Sequence, residues 1–322
     1  MKRGLFSKLR LIAGVALSVL LVTEVALRIA GKDVPPPYPP RLRHPEFQLY
    51  EPLGYRLFPS RTVTLPYPPE HPRDITITSN RDGFRASLEF DERDERPRIL
   101  FLGDGLVSGD GDQESERFTN LLQILEPSKR MDNLGMKGYG PDLMLRSLEV
   151  VGLRLKPSVV VFCFGTDGFR RVRPEYDGVG FPIPRYRLES GHLVTVPYPA
   201  PAFWNQLRIS IAAEKAIWEH TSRQSDLNKA ILDRFDELGT QNHFQRAFVF
   251  LPGSGDNAND RERRAWLSQY AESNGIAFLD PSDAIHQSGF QAFFDDNLNY
   301  NPVGHQVLAR EIDRFLRERI QP

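Results

Sequence analysis

From Ile99 onward the sequence alternates short, wholly apolar runs with stretches whose apolar residues recur at helical spacing. No other feature limits the fold as much. Ile99–Asp104 (ILFLGD), Val159–Phe164 (VVVFCF), Arg246–Leu251 (RAFVFL) and Gly275–Asp280 (GIAFLD) read as strands, with Met131–Gly135 a shorter one. Between them, Glu114–Glu126 carries Phe118, Leu121, Leu122 and Leu125 as a helical stripe. Pro141–Leu155 is a second helix, with proline suited to its first turn. Asp260–Ser273 is a third. Pro302–Ile320 places Val303, Val307, Leu308, Ile312, Phe315 and Leu316 on one face. Strands apolar on both faces need a helical layer on each side, so the expected class is α/β with a parallel sheet. Ligands of such sheets bind beyond the carboxyl ends of the strands.

Two regions break the alternation. Residues 168–245 form an insertion at a strand's carboxyl end, where it can roof a site. Within it Tyr186–Val196 (YRLESGHLVTV) reads as a hairpin turning at Ser190-Gly191, and residues 203–238 read as largely helical. Ahead of the sheet, residues 46–98 read as an N-terminal extension packing on the core. It includes the alternating run Asp74–Ser79 (DITITS), the turn Asn80–Arg85 (NRDGFR) and a charge-dense linker at Asp91–Arg98. There is no internal repeat.

The first 45 residues have their own logic. Lys2, Arg3, Lys8 and Arg10 precede Leu11–Thr23, which carries no charge. The apolar character continues to Ala30, interrupted by Glu24 and Arg28, which can pair at i, i+4 on one helix face. Residues 11–30 reach the length of a spanning helix. Arg28 falls where a signal-peptide cleavage site needs a small residue, so a retained signal anchor is expected rather than a cleaved leader. The basic tail, residues 1–10, places the N-terminus in the cytoplasm and the rest of the chain outside it. Residues 31–45, rich in proline, read as a stiff extended linker.

Composition removes several classes. A net charge of −1 and the lack of a basic stripe argue against nucleic acid as a partner. The single cysteine, Cys163, rules out an intrachain disulfide and sits in an apolar run, so it reads as core. No cofactor is expected. Asp110, Asp112 and Glu114 form an acidic group that reads as charging the start of the next helix rather than holding a metal.

Three loops fall at strand ends: Gly103-Asp104-Gly105, Asn133 through Gly140, and Gly165-Thr166-Asp167. A fourth segment, Asp295–His305, precedes the last helix. In order and spacing these four blocks resemble the SGNH (GDSL-type) hydrolase superfamily over roughly residues 10–320. The likeness is nearest to its membrane-anchored bacterial branch, in which an anchor, a proline-rich spacer and a turn like NRDGFR precede the first block. The resemblance implies a flavodoxin-like α/β fold. It also implies ester hydrolysis or acyl transfer, by a serine of the first block with a histidine and aspartate of the last. The oxyanion is then held by the serine N–H, a glycine of the second block and an asparagine of the third.

Carried over residue by residue, this chemistry is missing its main parts. The nucleophile position is Gly105, the base position is Asn299 and the third-block donor is Thr166, whereas Gly138 and Asp296 are kept. Gly105 has no oxygen to form an acyl-enzyme, and Asn299 cannot take and return a proton near neutral pH. Ser108, three residues on, is a weak substitute nucleophile that reads first as a capping or turn serine. His305 reads as structural, and His286 and His243 lie in no motif. Phe169, Tyr176, Phe181, Tyr186, Phe203 and Trp204 either pack or line a groove for sugar or lipid. Arg170 and Arg171 face either an anionic ligand or water.

The sequence therefore predicts a membrane-anchored, non-catalytic relative. Gly105, Gly138 and Thr166 would bind an acylated glycan, a lipid or an envelope protein. The alternatives are a rewired esterase or acyltransferase, and a scaffold of an envelope polysaccharide or acyl-transfer system.

Overall fold

The computed structural model describes residues 2–30, 45–66, 74–166, 168–172, 179, 181, 183–196, 207–255, 257–294 and 299–320. The five strands read from the sequence form one parallel sheet. They are β5 (Arg98–Leu102), β6 (Arg130–Asn133), β7 (Val159–Gly165), β10 (Gln245–Leu251) and β11 (Ala277–Leu279). Their spatial order is β11-β10-β7-β5-β6. Counted along the chain this is the 2-1-3-4-5 order of flavodoxin-like sheets, with its reversal between β5 and β7. The expected fold class is therefore the observed one.

Strand pleat sorts the apolar side chains onto two faces. Ile99, Phe101, Val159, Val161, Cys163, Val249 and Leu251 enter one core with α3 (Phe118–Leu125), α8 (Ser282–Gln287) and α9 (Pro302–Arg319). Leu100, Leu102, Val160, Phe162, Phe164 and Phe248 enter the other with α4 (Pro141–Ser147), α6 (Arg223–Asn242) and α7 (Ala258–Ser273). On the second face Phe162 stacks on Phe235 with centroids 4.1 Å apart. Each fully buried side chain of this size contributes about 1.5–3 kcal/mol. Cys163 is buried, as expected, and burial pushes its thiol up.

Three details differ from the sequence reading. The Glu114–Glu126 stripe splits into a 3₁₀ turn (Glu114–Glu116) and α3, because Arg117 between them is extended. Pro141–Leu155 is helical throughout, but after α4 it widens to a π turn at Leu148–Gly152 and tightens to 3₁₀ at Leu153–Leu155. The extension holds more strand than its alternation announces. β1 (Phe47–Tyr50) pairs with β2 (Gly54–Leu57), and β3 (Thr62–Leu65) pairs with β4 (Ile75–Thr78), both antiparallel.

The extension shares the second core through Phe47, Leu53, Tyr55, Leu57, Phe84 and Phe90. Its NRDGFR turn is built as its residues suggest. Asn80 Oδ1 accepts from Asp82 N and Phe84 N, and Gly83 takes φ +78°, which favours glycine. In the insertion, β8 (Arg185–Glu189) and β9 (His192–Val196) make the expected hairpin, with Ser190 and Gly191 both at positive φ, as a type I′ turn needs. Residues 208–219 form α5. At the N-terminus α1 (Lys2–Ala30) is one continuous helix, and Leu11–Ala30 is long and apolar enough to cross a membrane.

Candidate functional site

β5, β6 and β7 are neighbours, so the three glycine-bearing loops at their carboxyl ends lie side by side. Met136 N donates to Gly103 O at 3.1 Å and ties the second loop to the first. A Cβ on Gly165 would lie 3.1 Å from Asp104 Oδ2, which ties the third loop to the first. The fourth block reaches the same edge: Tyr300 donates its hydroxyl to Pro252 O at the end of β10, and burial, followed by the charge of Asp104, pushes that phenol up. Asn299 leads into this block, and its carbonyl accepts from Phe294 N at 3.0 Å. Asp167 and Asp296 lie outside the described residues, as do Tyr176, Phe203 and Trp204.

The first loop becomes α2 (Gly105–Ser108), a single turn. Asp104 is its N-cap and accepts from Leu106 N at 3.0 Å, as a loop aspartate is expected to. Gly109 ends it in the left-handed region, φ +76°. Gly109 N and Asp110 N then both donate to Gly105 O, at 2.8 and 2.9 Å, which folds the chain back on itself. As a result a Cβ on Gly105 would stand 2.7 Å from Asp110 Oδ2. The space that a side chain at 105 would need is taken by a carboxylate.

Asp110 was expected to charge the next helix. It instead turns inward, 3.5 Å from Lys137 Nζ of the second loop. Burial pushes its carboxyl up, partly offset by Lys137 and Arg85. Asp112 departs from that expectation too, whereas Glu114 meets it as the first residue of the 3₁₀ turn Glu114–Glu116. Asp112 is fully buried with His305 Nε2 3.1 Å away, and Glu114 accepts from Ser87 N and Oγ of the extension. No group of three or more metal-ligating side chains forms among the described residues.

His305 is structural, as expected. It is 1% exposed, its Nδ1 accepts from Phe118 N, and its ring stacks on Phe118. That leaves Nε2–H facing Asp112 and no free nitrogen for a base. Gly304 beside it has no alternative, since a Cβ there would lie 2.2 Å from Ala292 O. Ser108 does not cap a helix. It closes α2, is 6% exposed, and lines a cavity of about 40 Å³ with Glu46, Met136, Asp110 and Lys137. That volume suits roughly one water.

Two arginines that sequence reasoning left without a role define the surroundings. Arg171 Nη1 lies 2.8 Å from Asp104 Oδ2 and donates to Tyr139 O at 2.8 Å, so it straps the first loop to the second. Arg85 of the NRDGFR turn is 2% exposed and donates to the carbonyls of Ser108, Gly109 and Asp112. Arg117 is equally buried and also reaches Ser108 O; burial beside Arg85 pushes it down to about 9. Tyr55 donates to Lys137 O and Tyr139 to Tyr55 O. The extension thus holds both site loops in shape. Of the described aromatic residues named in the insertion, Phe181 stacks on Tyr55, Tyr186 donates to Glu149, and Phe169 stacks on Phe164 while also lining a cavity of about 310 Å³ with Asn228, Arg263 and Trp266.

The N–H groups of Gly105 and Gly138 donate to no other described residue, and both glycines are buried. Gly138 holds φ +84°. Thr166 is half-buried, and its carbonyl accepts from Arg263. Among its described residues the arrangement presents no nucleophile with a base beside it.

At the start of α4, Asp142 is 2% exposed. Its Oδ1 accepts from Leu143 N, while Oδ2 has no partner among the described residues. Burial pushes its carboxyl up to about 6, against the pull of Arg185 and Arg171. A folded-state value above the unfolded one favours folding only while the group is protonated. The contribution is full below about pH 4 and is lost as pH rises through about 6. Asp142→Asn is expected to stabilise the protein above pH 7 by up to about 3 kcal/mol and to change little at pH 4. Denaturant unfolding of both proteins at the two pH values checks this.

The sequence matches no protein-family model and no curated protein. Among solved structures it is similar to the psychrotrophic esterase EstA from Pseudoalteromonas sp., with TM-score 0.45 and 16% identity over 69% of this chain and 97% of that one. It is also similar to a catalytic mutant of Axe2, an acetylxylan esterase from Geobacillus stearothermophilus, with TM-score 0.46 and 14% identity over 68% and 94% of the two chains. A third is the lipase/acylhydrolase from Enterococcus faecalis, with TM-score 0.42 and 16% identity over 70% and 98%.

Proposed function

We propose that this chain is a membrane-tethered relative of the SGNH hydrolases that binds an oxygen-bearing ligand, such as an acylated glycan, without cleaving it. The observation that carries the reading is the Asp110 carboxylate seated over Gly105, where the attacking hydroxyl would be. A carboxylate there takes the place from which a hydroxyl would attack an ester, and His305 of the fourth block is committed to Phe118 N and Asp112. Gly105 N and Gly138 N remain as donors, the part of an oxyanion hole that also serves for binding.

The tether is α1, with the folded domain outside the cytoplasmic membrane. A cleaved leader is free of the mature protein. Here Glu24 is 8% exposed, pairs with Arg28 at 2.8 Å, and accepts from Ile209 N of α5 at 3.1 Å. A side chain that caps a helix of the folded domain supports a retained anchor.

The full chain in detergent is tested with a fluorophosphonate probe, which labels serines activated for attack. No labelling is expected at micromolar probe. Labelling that maps to Ser108 and disappears in Ser108→Ala overturns the reading in favour of rewired hydrolysis.

A further inference from the structure

We infer that the first two turns of α5 lie in the outer leaflet of the bilayer beside α1, so that the roof segment of the domain is seated in lipid. This rests on α1 being the membrane anchor. The contact that fixes α5 is Glu24, six residues before the end of α1 at Ala30. At 1.5 Å per residue, Glu24 then sits ~9 Å below the outer end of the helix. Helices that lie in the interface bury their apolar face by roughly 5–10 Å, so the start of α5 falls at that depth.

The surfaces agree with this placement. Around the contact, α1 shows Leu20, Leu21, Val22, Val25 and Ile29, all exposed. On α5, Ala212, Ala213 and Ala216 are exposed and uncharged. Inside a bilayer the leading N–H groups of a helix need an acceptor, and Glu24 supplies one to Ile209. Arg28, paired with Glu24, stands in the last turn of α1, at the level of lipid phosphates. The other end of α5 belongs to the domain, because Trp218 packs on the core shared by the extension and α6. The helix is therefore a strut from bilayer to domain, and the proposed occupant of its exposed face is lipid.

The single native cysteine is buried, so introduced cysteines label cleanly. The full chain is placed in phosphatidylcholine–phosphatidylglycerol vesicles with a spin label at Ala213→Cys, Leu17→Cys or Ile124→Cys. Labels at 17 and 213 are expected to be more accessible to oxygen than to a water-soluble nickel chelate. The label at 124, which is 72% exposed on α3, is expected to show the reverse. Adding Glu24→Ala is expected to move the label at 213 toward the chelate and leave 17 unchanged. A label at 213 in water with 17 in lipid overturns the inference and spares the anchor. A label at 17 in water overturns the anchor reading and this one with it. A label at 213 that ignores Glu24→Ala overturns the role of Glu24 as the clamp.

Discussion

A chain carrying Gly105→Ser and Asn299→His is expected to remain inactive toward p-nitrophenyl acetate. Adding Asp110→Ala is expected to raise turnover at least ~10²-fold, a fraction of what a complete triad contributes. The difference lies in one contact. A side chain at 105 meets Asp110 Oδ2 at 2.7 Å from its Cβ, so a hydroxyl attached there is displaced or trapped by the carboxylate. Shortening residue 110 frees the space and removes a charge opposed to the developing oxyanion. Release of p-nitrophenol, with the single, double and triple variants side by side, measures it. Equal turnover by the double and triple variants would show that Asp110 does not block the site.

Asp132→Ala is expected to cost about 3–5 kcal/mol of stability, the usual loss when one partner of a buried ion pair is removed. Asp132 is 2% exposed and serves two cations. It accepts from Arg98, which is equally buried, and from Arg130 Nε at 2.8 Å. Removing it leaves Arg98 with the Asp91 carbonyl alone and Arg130 with the Glu89 carbonyl and a longer pair to Asp94, between β5 and β6 and beneath the first two site loops. Arg317→Ala is the contrast. Its pairs with Asp313 and Glu126 involve a side chain 56% exposed and screened by water, so a much smaller loss than for Asp132→Ala is expected. Denaturant midpoints of the two variants decide; a loss below about 1 kcal/mol for Asp132→Ala would mean that Arg98 and Arg130 find other acceptors.

The sheet was legible because strands buried on both faces leave no choice of residue. VVVFCFG and AFVFL are apolar at every position whatever packs on them, and the structure pairs them in parallel. β1, β2 and β3 were not legible. Phe47–Tyr50 and Gly54–Leu57 are four residues each and hold their places by packing against Phe181 and Tyr139, far away in sequence. At the site, the lack of a side chain at Gly105 and of a titratable one at Asn299 could be read directly. The seat of Asp110 could not. It depends on α2 being one turn long and on Gly109 turning the chain left-handed, which carries a residue five positions downstream back over Gly105. The role of Arg171 was hidden for a similar reason. Nothing near it in sequence says that Asp104 Oδ2 and Tyr139 O wait within reach.

The carboxylate over Gly105 also changes how affinity works at this edge of the sheet. Asp110 is tied to the site by its own backbone, so it competes with any incoming ligand as an intramolecular species. Its effective concentration is of the order of millimolar or above. A ligand wanting the same space binds only the fraction of molecules in which Asp110 has swung away, and its apparent Kd rises in proportion. The chain would then be selective through self-occupancy, admitting a ligand that displaces the carboxylate or bonds to it and turning away simple anions.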